Sequence, residues 1–311
     1  MPNMIKTPPI LFIIFNRPDK TARILDTIRK ARPERLYVAA DGPRTEKVGD
    51  IEACALTRAV IDRVDWDCKV ITLFRDNNLG CRNAVSGAVT WFFDREPEGI
   101  VIEDDIELDP SFFVFAAEML ERYRDDPKIM SITACNMQPE RKNYLASYYF
   151  SAYNHVWGWA SWARAWQFYA SVLNDLDSVT CDESIDAMCP VPGARYHWKR
   201  LLYDVHAGKI DTWDYNWLYS QWKSRGLTVT PCVNLMQNIG FDGSGTHTND
   251  PNAYEASLRK SSLRFPLIHP EIVFLDAKAD LHVSLNVSRI RPRTFLSRLN
   301  RWRKGDRLAW I

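Results

Sequence analysis

The residues of this sequence whose types and spacing suggest chemistry begin with an acidic triplet, Glu103-Asp104-Asp105, at the end of the apolar run GIVIE. Adjacent carboxylates repel one another, so a domain that places them where a buried strand emerges gains from a positive charge there. Carboxylate oxygens are the ligands that hard divalent cations such as Mg²⁺ and Mn²⁺ prefer. A metal held by one or two carboxylates keeps other positions open and can clamp a diphosphate leaving group. The alternative is a solvated acidic turn.

Four apolar runs in the N-terminal part of the chain predict the strands that position this triplet. They are ILFIIF (10–15), RLYVAA (35–40), KVITLF (69–74) and GIVIE (99–103). Helical spacing follows the first three runs, in a helix with Asp19 as its N-cap, a second helix over 51–64 and a third that ends near Asp94. Strands this apolar, separated by helices, predict a parallel sheet that is buried on both faces.

Polar side chains follow each predicted strand. Because ligands bind at the carboxyl ends of parallel strands, these side chains are expected to converge on one edge of the sheet. They are Arg17 after the first strand, Asp41 after the second, Asn77, Asn78 and Arg82 after the third, and the acidic triplet after the fourth. The sequence therefore predicts a polar binding site at this edge.

The second half of the chain has a different character. After a helix (111–124) and a strand (129–134), the chain is rich in aromatics from about 148, irregular over 174–194, helical near 195–206 and 212–225, and a strand and loop over 227–240. Trp159, Trp162 and Trp166 have the spacing of a buried helical stripe. One compact unit is predicted over 1–275, with a nucleotide-binding half (8–147) and an acceptor half (148–275).

Composition and missing motifs argue against several classes of protein. The formal net charge of +1 disfavours a protein that coats nucleic acid through bulk charge. The sequence contains neither a G-x-x-x-x-G-K-[ST] loop nor a G-x-G-x-x-G after the first strand, which disfavours P-loop enzymes and Rossmann dehydrogenases. The seven cysteines are scattered without a Cys-x-x-Cys pair, so reduced thiols in a cytosolic protein are expected. The apolar runs are too short for a signal peptide or a membrane span.

Several segments together resemble a known family. VIEDDIELDPSFFVF resembles the acidic metal motif and following helix of inverting GT-A glycosyltransferases of the N-acetylglucosaminyltransferase I type. ILFIIFNRPDKTARILDTI and YVAADG resemble the first strand, first helix and second strand of that family, and WGWASWARAW, TWDYNWL and GSGTH resemble later segments in the same order. The resemblance spans roughly residues 8 to 250. It implies an α/β GT-A (Rossmann-like) fold, with a mainly parallel sheet flanked by helices and an acceptor-side C-terminal half.

The resemblance also implies roles for residues on the donor side. Asp105 would bind Mn²⁺ or Mg²⁺, and Glu103 and Asp104 would contact the nucleoside or the sugar. Asp41 would recognise the base of the nucleotide, and Arg17 would bind the diphosphate. The cofactors implied are a divalent metal ion and a nucleotide-sugar, in particular a UDP-sugar.

Further residues are candidates for the donor and acceptor sides. Arg82 is expected near the ribose or the phosphates, and His247 lies in a glycine-rich loop that can close over a diphosphate or remain a solvated surface residue. The resemblance implies paired aspartates where this chain has Asp214-Tyr215-Asn216, so Asp214 is the carboxylate expected to be the general base. Asp211 and Asp214 would also suit the first turn of a helix, where acids complement the dipole. Trp157, Trp213 and Trp217 are candidates to stack on a sugar acceptor.

The predicted reaction is a single displacement that inverts the anomeric configuration and extends a glycan or lipid-linked glycan of the cell surface. Two alternatives are a sugar-phosphate nucleotidyltransferase, for which FNRPDK lacks the glycines of a triphosphate-binding loop, and a non-catalytic carbohydrate-binding protein. The C-terminal segment 276–311 is strongly basic and can form an amphipathic helix with Trp302 on its apolar face. This segment predicts peripheral attachment to an anionic membrane, or a helix packed on the body of the protein.

Overall fold

The computed structural model of the chain describes residues 6–138, 144–241, 254–291 and 303. The strands are β1 (Ile10–Ile14), β2 (Arg35–Ala40), β3 (Lys69–Phe74), β4 (Glu98–Glu103), β5 (Ile106–Leu108), β6 (Ile129–Thr133), β7 (Tyr148–Ser151), β8 (Trp159–Trp162), β9 (Leu227–Pro231) and β10 (Met236–Asn238). The α-helices are α1 (Pro18–Ala31), α2 (Asp50–Ala59), α3 (Gly80–Phe93), α4 (Ser111–Arg122), α5 (Ala163–Trp166), α6 (Val179–Met188), α7 (Ala194–His206), α8 (Asp214–Lys223) and α9 (Ala277–His282). Two 3₁₀ turns (Val60–Arg63 and Tyr254–Ser257) and a π-helical turn (Val283–Val287) complete the elements.

One sheet of eight strands, in the order β3-β2-β1-β4-β8-β6-β9-β7, forms the centre of the protein. β1 pairs in parallel with β2 and β4, β2 with β3, and β6 with β9. β8 lies antiparallel between β4 and β6, and β7 is antiparallel to β9. The predicted α/β class, with a mainly parallel sheet flanked by helices, is confirmed. The short strands β5 and β10 pair with each other outside this sheet.

Side chains of the central strands are buried alternately on the two faces of the sheet. In β1, Ile10 and Phe12 pack into one core with helices α1 and α4, while Leu11 packs into a second core with α3. Burial on both faces explains why β1 and its neighbours are apolar without alternation. The helices therefore cover both faces of the sheet, and the loops at the carboxyl ends of β1, β2, β3 and β4 lie at one edge.

The N-cap of helix α1 lies two residues before the predicted one. Arg17 occupies the N-cap position and Pro18 the first helical position, so the predicted N-cap at Asp19 is wrong. Proline is favoured at this position because it lacks the amide hydrogen that would be unpaired there. Asp19 lies in the first turn, where its charge complements the helix dipole.

The tryptophan stripe is buried, as predicted, but it is not helical. Trp159 and Trp162 lie in β8, and Trp166 ends the four-residue helix α5. β8 pairs with strands on both sides, so its side chains are enclosed by the two cores rather than by one helix face. The stretch predicted to be irregular over 174–194 contains helix α6.

The first part of the predicted C-terminal tail packs on the body of the protein. Asp280 in α9 accepts hydrogen bonds from Ser151 Oγ at 2.5 Å and from the Ala152 amide at 2.8 Å. Val283 and Ile290 are buried. Residues 292–302 and 304–311 lie outside the described residues, so membrane attachment through them stays a prediction. Among the residues that the structure describes, no helix has both the length and the apolar character needed to cross a bilayer.

Candidate active site

The acidic triplet meets Arg17 across two neighbouring parallel strands. Arg17 follows β1, the triplet ends β4, and the strands pair in register, so the two segments emerge side by side. Arg17 Nη1 donates to Asp105 Oδ2 at 3.0 Å, and Arg17 Nη2 donates to Asp104 Oδ1. Burial lowers the pKa of Arg17, but the charges of Asp104 and Asp105 outweigh it and raise the pKa above its usual value. Arg17 is therefore a permanently charged partner of this cluster.

One arginine does not neutralise three carboxylates. The side chain of Glu103, at the end of β4, makes no hydrogen bond or ion pair with the part of the chain that the structure describes. Burial, together with the charges of Asp105 and Asp104, raises the pKa of Glu103 to about 8. Burial also raises the pKa of Asp104 to about 6, although Arg17 opposes this shift. The cluster thus has an excess of negative charge that a further cation would stabilise.

A cavity of about 270 Å³ lies over the carboxyl ends of the first four strands. Its charged lining residues are Arg17, Arg44, Arg75, Asp41, Glu103, Asp104 and Asp211. Arginines and carboxylates face the same space, an arrangement suited to an anionic ligand that arrives with a metal ion.

Asp41 joins the ends of β2 and β3 at the wall of this cavity. The Leu79 amide donates to both carboxylate oxygens of Asp41, at 2.9 and 3.1 Å. Burial raises the pKa of Asp41. Gly42 allows this close approach, because a Cβ at that position would lie 2.3 Å from the backbone of Asn77. Asn78 completes the junction by donating from Nδ2 to the Gly42 carbonyl at 2.8 Å.

Arg75 is a lining residue that the sequence reasoning missed. It directly follows β3, and its guanidinium makes no hydrogen bond or ion pair within the described ranges of the chain. Burial lowers the pKa of Arg75, while the charge of Asp41 opposes that shift. The signal for it was its position as the first residue after the third strand. Arg44, also missed, is paired with Asp50 and lies 5.0 Å from the ring centre of Phe15.

Arg82 and Asp211 connect helix α3 to the segment before α8. Asp211 accepts hydrogen bonds from the amides of Cys81 at 2.9 Å and Arg82 at 3.2 Å, and so caps the helix. The Arg82 side chain donates to the carbonyl groups of Thr212 and Ile210, each at 3.2 Å, and to that of Val205. These bonds direct its guanidinium toward the backbone, and a contact between Arg82 and the donor stays a prediction.

Asp214 lines a second cavity and acts on the first through its charge. It is the first residue of α8, accepts a hydrogen bond from Thr212 Oγ1, and lines a second cavity of about 330 Å³. Its charge also contributes to the raised pKa values of Glu103 and Cys81, which line the first cavity. Asp214 therefore acts electrostatically on the carboxylate cluster while facing a separate space.

Asn216, two residues beyond Asp214 in α8, has a structural role. It is buried, and its Nδ2 donates to the carbonyl groups of Ala170 at 2.8 Å and Ser171 at 3.1 Å. Trp213 and Trp217 are also buried and pack against Trp159, so neither offers a free face for a sugar.

Trp157 is the candidate tryptophan that lines the second cavity. Its ring packs edge-on against Phe241, at 6.1 Å between ring centres. The neighbouring Gly240 approaches the cluster closely, since a Cβ there would lie 2.6 Å from Asp105 Oδ2. The segment after β10 thus runs from the carboxylate cluster to the second cavity.

The contacts described above do not test the predicted roles of His247 and of the metal ligands. His247 lies outside the described residues. Within residues 6–138, 144–241 and 254–291, no group of three or more His, Cys, Asp and Glu side chains is arranged to hold a metal by itself.

No protein-family model matches the chain, and no curated protein matches it. Among solved structures, mouse xyloside xylosyltransferase 1 in its apo form is similar over 82% of this chain and 95% of its own, with 12% identity and a TM-score of 0.37. Residues 1–349 of S. aureus TarS match over 74% of this chain and 59% of theirs, with 7% identity and a TM-score of 0.38. A UDP-glucose pyrophosphorylase complexed with UDP-glucose matches over 75% of this chain and 93% of its own, with 9% identity and a TM-score of 0.36. Scores this low indicate remote likeness, so a functional assignment depends on the geometry of the site.

Proposed function

We propose that this chain is a metal-dependent, inverting glycosyltransferase that moves a sugar from a UDP-sugar to a hydroxyl group of a glycan or lipid-linked glycan. The observation that carries the proposal is the under-neutralised cluster of Glu103, Asp104 and Asp105 at the strand ends, together with Asp214, which lines a second cavity and whose charge raises the pKa of Glu103. Two cavities, one lined by Glu103 and the other by Asp214, suit a reaction between two substrates. The carboxylate of Asp214 suits the removal of a proton from the attacking substrate.

The residues present fit a divalent metal ion. Mg²⁺ and Mn²⁺ in phosphate-binding sites are held by one or two protein carboxylates and by the phosphates of the substrate. Asp105, with Glu103 beside it, would supply the protein ligands. When bound, the metal would neutralise the negative charge that develops on the departing diphosphate.

The arginines and Asp41 would position the donor. Arg17 and Arg75 both line the first cavity, and guanidinium groups bind phosphate oxygens through paired hydrogen bonds. Asp41, held by the Leu79 amide, would accept a hydrogen bond from the base of the nucleotide. These contacts would leave the sugar directed toward Asp214.

In the reaction, Asp214 would take the proton of the acceptor hydroxyl as its oxygen attacks the anomeric carbon. The bond between that carbon and the diphosphate oxygen breaks as the new carbon–oxygen bond forms, and the nucleotide leaves as UDP. One displacement on the opposite face inverts the anomeric configuration.

The experiment that tests this proposal is a UDP-sugar panel assayed for UDP release, with Mn²⁺ and with EDTA. Wild type, Asp105→Asn and the exposed control Asp62→Asn would be compared. We expect metal-dependent UDP release by wild type and the control, and a loss of at least about 100-fold in Asp105→Asn, as expected when a charge-stabilising group is removed. Release of UTP only when pyrophosphate is added would indicate a nucleotidyltransferase, and binding without turnover would indicate a carbohydrate-binding protein.

A further inference from the structure

The segment 265–276 covers the outer edge of the eight-stranded sheet. β7 is the last strand of that sheet, and the segment runs parallel to it. The Ser147 amide donates to the Ile268 carbonyl at 2.8 Å, and the Ile268 amide donates to Ser147 Oγ at 2.9 Å. Further along, the Asp276 amide donates to the Phe150 carbonyl at 2.8 Å. These hydrogen bonds hold the segment against β7 on both sides of residues 269–275.

The side chains of this segment alternate between the core and the solvent. Leu267 is buried, and Val273 and Leu275 pack against the core. Ile272 and Phe274 face the other way and are 66% and 57% exposed. The outward positions of a sheet edge are normally polar or charged. Large apolar side chains at both of these positions therefore indicate a surface that contacts something other than water.

Other exposed apolar side chains lie beside these two. Leu145 is close to the segment, because the hydroxyl group of its neighbour Tyr144 donates to the Asp276 carboxylate. We call the whole set the apolar edge surface, and each member is at least 42% exposed: Leu145, Phe265, Ile268, Ile272 and Phe274. Apolar side chains grouped in this way differ from single ones scattered over a surface and are typical of an interaction site.

Positive charge is concentrated in the same part of the chain. Residues 259–311 contain twelve lysines and arginines against four acids, a net charge of +8, whereas the whole chain has a net charge of +1. Two of the four acids, Asp276 and Asp280, accept hydrogen bonds from the body of the protein. Arg264 and Lys278 flank the apolar edge surface along the chain, are exposed, and make no ion pair with the residues that the structure describes. The apolar edge surface is thus accompanied by basic side chains.

We propose that the apolar edge surface lies on an anionic lipid bilayer, with Ile272 and Phe274 inserted at the level of the headgroups and with Arg264 and Lys278 against lipid phosphates. Apolar side chains accompanied by lysine and arginine characterise proteins that bind in the membrane interface. A second copy of the chain suits the surface less well, because a two-fold interface would bring the basic residues of both copies together. The inference places a membrane contact on the folded body, in addition to the one predicted for the C-terminal segment. It goes beyond the proposed function, since binding to a bilayer requires neither donor nor metal.

The first test measures binding of the full chain to lipid vesicles by flotation. Vesicles of phosphatidylcholine with phosphatidylglycerol are expected to bind at least about tenfold more tightly than vesicles of phosphatidylcholine alone, because each basic residue near an anionic surface contributes. Ile272→Ser combined with Phe274→Ser is expected to weaken binding to the anionic vesicles at least about tenfold, because less apolar area enters the interface. The matched control is Ile51→Ser combined with Phe168→Ser, at positions that are 66% and 53% exposed elsewhere in the fold.

The second test concerns the basic side chains. Arg264→Gln combined with Lys278→Gln is expected to weaken binding to the anionic vesicles about tenfold and to leave binding to phosphatidylcholine alone unchanged. Lys47→Gln combined with Arg63→Gln, at exposed positions near helix α2, is the matched control. A thermal unfolding curve of each variant establishes that it is folded.

Several outcomes would overturn the inference. They include a wild-type chain that does not bind the anionic vesicles, and equal binding by wild type and the Ile272→Ser, Phe274→Ser variant, which would assign membrane binding to the C-terminal segment alone. An equal loss in the Ile51→Ser, Phe168→Ser control would show that the effect does not belong to the apolar edge surface. A dimer that forms without lipid, detected by analytical ultracentrifugation and dissociated by Ile272→Ser with Phe274→Ser, would assign this surface to a second copy of the chain instead.

Discussion

Arg17 Nη1 donates to Asp105 Oδ2 at 3.0 Å, and this bond joins the end of β1 to the end of β4. Asp105 is also the carboxylate that the proposed function assigns to the metal. A metal ion bound there would compete with Arg17 for the same carboxylate. Arg17 also lines the first cavity. Metal binding to Asp105 would therefore free the Arg17 guanidinium to bind the diphosphate of the UDP-sugar.

The first prediction is that Arg17→Met has opposite effects on metal and nucleotide. Removing the competing guanidinium is expected to tighten Mn²⁺ binding without nucleotide, whereas UDP binding with Mn²⁺ weakens about tenfold, or about 1.4 kcal/mol. Isothermal titration calorimetry measures both. Arg23→Met is the control, because Arg23 pairs with Glu107 and its side chain is 56% exposed, against 22% for Arg17. Weakening of Mn²⁺ binding in Arg17→Met would contradict the competition.

The second prediction is that Glu103→Gln stabilises the metal-free protein at alkaline pH. The pKa of Glu103 rises from 4.5 to about 8 on folding, so between these values the folded chain holds a proton that the unfolded chain releases. Wild-type stability therefore falls as the pH rises through this window and levels off above it. Glutamine removes this loss, so we expect the free energy of unfolding to exceed that of wild type by about 1–2 kcal/mol at pH 8 and by little at pH 4.5. Urea unfolding of both proteins with EDTA at pH 4.5 and pH 8 measures this difference in the free energy of unfolding. A difference of equal size at the two pH values would show that the raised pKa of Glu103 is not its cause.

The third prediction concerns the pH dependence of metal binding. If Glu103 must lose its proton to face the metal, Mn²⁺ affinity rises as the pH approaches about 8 and becomes constant above it. Below that pH, the association constant for Mn²⁺ is expected to rise about tenfold per pH unit. Calorimetry in buffers of different ionisation enthalpy would also detect the released proton. Affinity that is flat from pH 6 to 9 would show that the proton on Glu103 does not oppose the metal.

Much of the fold was predictable because the central strands are buried on both faces. The runs 35–40 and 69–74 are strands with the predicted bounds. Apolar runs between turn residues identify such strands without any knowledge of their partners. The antiparallel insertion of β8 between β4 and β6 was not predictable in this way. Its tryptophans satisfy helical spacing as well as strand spacing, and only pairing with distant strands decides between them.

The lining of the first cavity was predictable where a residue lies at the end of a strand or shortly after it, as with Arg17, Asp41, Glu103 and Asp104. The sequence indicated less about Arg82, whose conformation is fixed by hydrogen bonds to Thr212, 130 residues along the chain. Arg75 was overlooked for a related reason. Which of two nearby arginines faces the cavity depends on the turn after β3, and contacts from Asp41 and Asp211 set that turn.

The fourth prediction separates two neighbouring aspartates by their roles. Asp214→Asn removes the proposed base and is expected to lower kcat by about 10²–10⁴-fold with little change in the KM of the donor. Asp211→Ala removes the cap of α3 and is expected to lower the free energy of unfolding by about 1 kcal/mol, with less than a tenfold loss of kcat. Steady-state kinetics and thermal unfolding of both variants test the assignment. A larger loss of kcat in Asp211→Ala would reverse the two roles.

The fifth prediction is that Arg75 contributes to binding of the donor phosphates. Its guanidinium lines the cavity without a hydrogen-bond or ion-pair partner among the described residues, so it is available to an anionic ligand. Arg75→Gln is expected to weaken UDP binding about tenfold, equivalent to about 1.4 kcal/mol, and to leave uridine binding nearly unchanged. Arg63→Gln, at an exposed position on the 3₁₀ turn, is the matched control. Titration calorimetry with both ligands at two salt concentrations decides the point, because a phosphate contact weakens with salt whereas a contact to the base does not. Equal losses for UDP and uridine would place Arg75 against the nucleoside instead.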